Sequence, residues 1–171
     1  RAYNAALNYG DRAGGGFLAV SHPVTDATAA LGRLAPAARR TLLSQLATLD
    51  LSDSAVISAT HDTGQLRYNG RRELAAIDAL ERDVTNDSLE QSTTAVLDKV
   101  SGAGLIAARQ RQARIQILDG IVEQLLVDGK RTRDTETAAM NMQLTAWRDR
   151  AAMNQAFAAG AGDALRTWRQ P

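Results

Sequence analysis

The chain has 171 residues, with 20 lysines and arginines against 19 aspartates and glutamates, and it contains no cysteine. This charge balance does not favour bulk attraction to nucleic acid or to anionic lipid. The lack of cysteine excludes disulfides, thiolate catalysis and zinc–cysteine sites.

The composition predicts an all-α fold. Proline occurs only at positions 23, 36 and 171, and the long stretch between the last two is rich in alanine, leucine, arginine and glutamine. These residues favour helix, and runs of β-branched residues bounded by turn residues are missing. We therefore expect an elongated antiparallel bundle of long helices with a smaller appendage of short helices and loops.

Glycines divide residues 1–69, which we interpret as the appendage. A short helix is expected over residues 24–34, with Thr25 as its cap. A firmer helix should begin at Pro36, since proline suits the first helical position, and should end near Asp50. Residues 60–70 are interpreted as a loop.

Residues 71–159 should form the bundle, because their apolar side chains recur at spacings of three and four. The expected core stripe in their middle is Ile115, Leu118, Val122 and Leu125. Asp128-Gly129 is a turn-type dipeptide, so we expect a helical hairpin to close there; the alternative is one continuous helix. Gly160 and Gly162 should end the last helix and leave residues 160–171 as a tail.

The sequence offers no pattern typical of an enzyme. The two histidines, His22 and His61, are not spaced as metal ligands, and neither a nucleophile elbow nor a nucleotide fingerprint is present. Acidic residues at 78–83 are better interpreted as the solvated face of a helix than as the carboxylate pair of a hydrolase. We therefore predict no catalytic residue, cofactor, metal ligand or small-molecule substrate.

Six residues are candidates for partner binding: Phe17, Leu18, Gly102, Gly104, Arg109 and Arg111. The first two follow three glycines and could dock on a partner or pack back onto the chain. The two glycines would permit close approach of another helix, either internal or from another subunit.

The arginines belong to residues 99–118, which carry a net charge of +4 and no acid, whereas residues 78–98 carry −5. We expect these blocks to pair across neighbouring antiparallel helices. Nucleic-acid binding is the less favoured alternative, because no aromatic residue lies nearby to stack a base.

The glutamine-rich apolar segments at 91–100, 107–118 and 123–127, together with Met140-Asn-Met-Gln, resemble the C-terminal half of TrbJ-type conjugative transfer proteins. These proteins are related in role to the minor pilus subunits of type IV secretion systems. The resemblance covers roughly residues 88–147 and carries over no catalytic residue. Family members also have a signal peptide and a further N-terminal helical segment, neither of which we expect within residues 1–171.

The resemblance implies a non-enzymatic structural or adhesion subunit at or near the tip of a conjugative pilus, helping assembly or recipient contact. Its partners would be pilus and secretion-channel subunits and the recipient cell surface. The sequence does not determine how many copies of the chain associate. A periplasmic or extracellular location follows if a signal peptide precedes Arg1. The alternative is a cytoplasmic helical nucleic-acid-binding protein that uses Arg109, Arg111 and Arg114.

Overall fold

The computed structural model describes residues 1–87 and 94–169, and the side chains of residues 1–83 and 102–169. Within these ranges the chain forms helices and no strand. The helices are α1 (Ala2–Tyr9), α2 (Gly15–Leu18), α3 (Ala27–Leu31), α4 (Pro36–Asp87) and α5 (Thr94–Trp168). The prediction of an all-α fold, with long antiparallel helices and an appendage of short ones, is confirmed.

The chain divides into two compact units, and both long helices contribute to each. Unit 1 comprises the described residues of 1–21 and 53–130, and unit 2 comprises those of 22–52 and 131–171. The expected boundaries at residues 70 and 160 therefore lie inside α4 and α5, not at helix ends.

In unit 1, α1 packs against α2, and Ala6, Leu7 and Phe17 are buried there. Helix α4 lies close to both, with Gly64 beside the Ala6 carbonyl and Ile57 beside Gly14. The last three carbonyls of α1 have no partner within that helix, as at any helix C-terminus. Side chains of α4 satisfy them: Gln65 donates to the Tyr9 carbonyl at 2.7 Å, and Arg67 and Arg71 donate to the carbonyls of Leu7 and Asn8. Two cations thus lie at the negative end of the helix dipole.

In unit 2, Ala30, Leu42 and Leu144 form the buried core, with Met140 and Trp147 packed against it. The segment before α3 is tied to α5 through Asn141, which accepts from the Thr25 amide at 2.8 Å and donates to the Pro23 carbonyl at 2.9 Å. Because Thr25 is engaged by Asn141, it does not cap α3. The cap position is Asp26, and the helix is shorter than expected.

Helix α4 begins at Pro36, as predicted, but the expected end near Asp50 and the loop over residues 60–70 are wrong. The two glycines in that stretch are helical, and close neighbours explain them. A Cβ atom on Gly64 would overlap the Ala6 carbonyl and the Gly10 amide, and one on Gly70 would lie 2.6 Å from the Gln112 side-chain nitrogen.

Helix α5 is continuous from Thr94 to Trp168, so the expected hairpin at Asp128-Gly129 and the expected ending at Gly160 are wrong. The polar residues after Gly129 do not form a turn, because several of them are packed in the interior of unit 2, to which residues 131 onward belong. Arg133 and Thr137 are buried, and the Arg133 guanidinium donates to the His22 carbonyl.

Candidate protein-interaction surface

Helix α5 directs two polar residues and a leucine toward the interior of unit 1. Gln112, Asp119 and Leu126 are 4%, 8% and 7% exposed and recur every seven residues. At 100° per residue these positions fall close together on one side of the helix. The buried line is therefore displaced by one residue from the expected stripe through Leu118 and Leu125, both of which are more than 60% exposed.

The opposite side of α5 is apolar and exposed. Ile106, Ile117 and Ile121 are 61%, 65% and 51% exposed, and Leu118 and Leu125 lie beside them. We define the α5 outer face as these residues with the exposed polar residues interspersed among them: Ile106, Gln110, Arg111, Arg114, Ile117, Leu118, Ile121, Gln124 and Leu125. Exposed aliphatic side chains grouped as Ile117, Leu118, Ile121 and Leu125 are here are typical of surfaces that contact other molecules.

The three arginines of the basic block differ in their surroundings. Arg109 pairs with Asp78 at 3.0 Å and with Glu81, which confirms the expected pairing between the acidic and basic blocks at this residue. Arg111 and Arg114 are exposed, and neither makes an ion pair or side-chain hydrogen bond with the residues that the structure describes. Two charges on the α5 outer face are thus left unneutralised within the described part of the chain.

The two glycine candidates lie near the start of α5. A Cβ atom on Gly102 or Gly104 would have no described atom within 4 Å. The close internal approach that these glycines suggested is therefore not made by any residue in the described ranges.

The aromatic candidate packs inside the chain. Phe17 is 1% exposed, with its ring centroid 6.2 Å from that of Tyr3, whereas the neighbouring Leu18 is 51% exposed. Phe17 thus packs inside the chain, and of this pair Leu18 is the residue exposed at the surface. Gly16 permits this packing, because a Cβ atom there would lie 2.7 Å from that of Ala6.

A charged cluster in unit 1 was not predicted from the sequence. The Arg67 guanidinium lies between the carboxylates of Asp119 and Glu123, and its side chain is 16% exposed. Burial alone lowers the pKa of Arg67, but the hydrogen bonds to Glu123 and Asp119 outweigh burial and raise it. The only signal in the sequence is the spacing of four between the two acids, which places them on one side of a helix.

A cavity of about 250 Å³ adjoins this cluster between α4 and α5. Its lining includes Arg67, Gln112 and Asp119, and the Asp119 Oδ1 atom is buried without a hydrogen-bond partner in the described part of the chain. The described residues contain no group of three or more metal-ligating side chains close enough to hold an ion.

His61, one of the two histidines considered as metal ligands, accepts a hydrogen bond from Arg12 at 3.3 Å.

None of the described helices has a stretch long and apolar enough to span a bilayer. Comparison with protein-family models, with curated proteins and with solved structures finds no match to this chain.

Proposed function

We propose that this chain is a non-enzymatic structural subunit of a conjugative type IV secretion system, acting in the assembly of the pilus or in contact with the recipient cell. It would work in the periplasm or outside the cell, through helix packing with pilus or channel subunits. The proposal joins the resemblance of residues 88–147 to TrbJ-type proteins with one structural observation, the apolar α5 outer face.

The α5 outer face supports a structural function because of where its apolar residues lie. Ile117 and Ile121 are one helical turn apart, on the side of α5 that faces away from the buried line of Gln112 and Asp119. Exposing large aliphatic side chains in water is unfavourable by about 25 cal/mol per Å² of apolar area. A subunit that buries this face against a neighbour recovers that free energy on assembly.

The proposal is tested by mating. Donor cells that carry the conjugative element and lack this gene should transfer DNA at a strongly reduced frequency, and the wild-type gene supplied in trans should restore transfer. The Ile117→Asp variant should fail to restore it, since a carboxylate on the α5 outer face opposes burial. Leu51→Asp, at an exposed position on α4, is the matched control.

Unchanged transfer in the deletion strain would contradict the proposal. So would salt-sensitive retention of the purified chain on a DNA column that is lost in the Arg111→Ala/Arg114→Ala variant, because that result indicates nucleic-acid binding instead.

A further inference from the structure

The exposed aliphatic residues of the α5 outer face suit the packing of one further helix. Its neighbouring aliphatic residues Ile117, Leu118, Ile121 and Leu125 span about 12 Å at a rise of about 1.5 Å per residue, and Ile106 lies eleven residues before Ile117. Leu118, Ile121 and Leu125 follow each other at spacings of three and four, the pattern that packs one helix along another. About two turns of a second helix therefore match these aliphatic residues.

The positive charge on this face indicates which charges a binding helix must carry. Arg111 and Arg114 lie among the apolar residues, unpaired with any described residue, while Asp78 and Glu81 are already engaged by Arg109. The acids on the neighbouring turns of α5, Asp119 and Glu123, are bound to Arg67. A complementary occupant must bring its own carboxylates.

We propose that the α5 outer face binds an amphipathic helix of another polypeptide whose apolar stripe is flanked by glutamate or aspartate. This proposal rests on the proposed function in that it names the partner chemistry for the same surface. It can be tested without any conjugation apparatus, because the surface belongs to the purified chain alone.

A second copy of this chain fits the face less well. The same face of another copy would bring Arg111 and Arg114 again, and between residues 103 and 118 it carries no carboxylate. Like charges placed in one interface oppose association.

An anionic membrane also fits less well. Gln110 and Gln124 lie at seven-residue intervals from Ile117, so their amides fall in line with its side chain. An amide without a partner is costly in hydrocarbon, whereas a facing helix can hydrogen-bond it.

The experiment uses the full chain and two fluorescent peptides of about three heptads each. Both carry leucine at the heptad core positions; one has glutamate at every flanking position and the other has lysine. Fluorescence anisotropy measures binding at low and at high salt. The glutamate peptide should bind, its affinity should fall as salt rises, and the lysine peptide should not bind.

A charge swap supplies the decisive comparison. The Arg111→Glu/Arg114→Glu variant should bind the glutamate peptide about tenfold more weakly and should acquire binding to the lysine peptide. Arg39→Glu/Arg40→Glu changes the charge equally at exposed positions of α4 and should behave as wild type.

Four results would overturn the proposal. They are equal binding of both peptides, binding of neither, self-association in sedimentation equilibrium that Ile117→Asp abolishes, and binding to phosphatidylglycerol vesicles in preference to the glutamate peptide. The wild-type peptide comparison needs no variant, so a folding defect cannot obscure it. If the glutamate peptide does not bind but mating depends on the gene, this inference alone is overturned. If the peptide binds as expected but mating does not depend on the gene, only the proposed function is overturned.

Discussion

Arg67 allows two carboxylates to lie at the interface of α4 and α5 in unit 1. Its guanidinium contacts both Asp119 and Glu123 and also donates to the Leu7 carbonyl at 3.4 Å. Asp119 is 8% exposed, so without this cation its charge would be nearly buried and unpaired. The same side chain therefore joins α1, α4 and α5 of unit 1.

Replacing Arg67 with methionine should lower the free energy of unfolding by about 3 kcal/mol, because breaking a buried ion pair leaves a charge uncompensated. Urea denaturation followed by circular dichroism measures the change. Arg40→Met, at an exposed position, is the control and should change the free energy by less than about 0.5 kcal/mol. A loss equal to that of the control would contradict the role assigned to Arg67.

Tyr3 makes the stability of unit 1 sensitive to alkaline pH. Burial raises the pKa of Tyr3 above its ordinary value of 10.0; the Thr60 hydroxyl opposes this shift, and the charge of Glu123 adds to it. Above pH 10 the unfolded chain therefore loses the phenolic proton while the folded chain retains it. The free energy of unfolding should decrease as pH rises through that range.

In the Tyr3→Phe variant this decrease should be shallower, as measured by urea denaturation between neutral and alkaline pH. At neutral pH the substitution should cost little, because the Tyr3 hydroxyl makes no hydrogen bond of normal geometry within the described part of the chain, although the Thr60 hydroxyl lies close enough to affect its pKa. Tyr9→Phe, at an exposed ring, should keep the wild-type slope. Identical slopes in all three proteins would contradict the prediction.

Among the elements, the start of α4 could be predicted and its course could not. Pro36 marks the first turn through its fixed φ angle and missing amide hydrogen. Gly64 and Gly70 are loop signals by composition, but in the fold they make room for α1 and for Gln112. Such contacts join residues far apart in the sequence, so no local pattern reveals them.

The register of α5 was missed for a related reason. Apolar periodicity points to Leu118 and Leu125, whereas the buried line runs through Gln112 and Asp119. These polar residues are buried beside Gly70 and Arg67 of α4. The apolar residues were thereby left on the exposed side, where the candidate surface lies.

Gly129→Ala should raise the free energy of unfolding by about 1 kcal/mol, since glycine inside an exposed helix costs this much relative to alanine. No described atom lies within 4 Å of a Cβ built at this position. Gly64→Ala is the contrasting variant and should cost about 2 kcal/mol through overpacking against α1. Thermal denaturation measures both. Destabilisation by Gly129→Ala would indicate a turn at Asp128-Gly129.

For the molecule as a whole, the all-α fold could be predicted from composition and from the spacing of the prolines. The division into two units could not, because each unit combines segments that are distant in the chain. Only contacts such as that between Asn141 and Thr25 reveal this arrangement.

The end of α5 adds little to the stability of unit 2. Met153, Phe157 and Trp168 are all exposed, whereas Leu144 and Trp147 belong to the core. A chain truncated after Ala152 should lose helical ellipticity but change its unfolding temperature by no more than about 2–4 °C. Truncation after Gln143, which removes Leu144 and Trp147, should instead unfold unit 2. A large loss of stability in the first truncation would show that the segment packs on the rest of the unit.

The hydrogen bonds from α4 side chains to the last carbonyls of α1 have a consequence for natural sequence variation. The donors are Gln65, Arg67 and Arg71. They donate hydrogen bonds to the main-chain carbonyl oxygens of Tyr9, Leu7 and Asn8. Every amino acid supplies that oxygen, whatever its side chain. The solvent-facing side chains of α1 can therefore vary between strains without loss of these hydrogen bonds. Deep mutational scanning should find those positions tolerant of substitution and Gly64 intolerant.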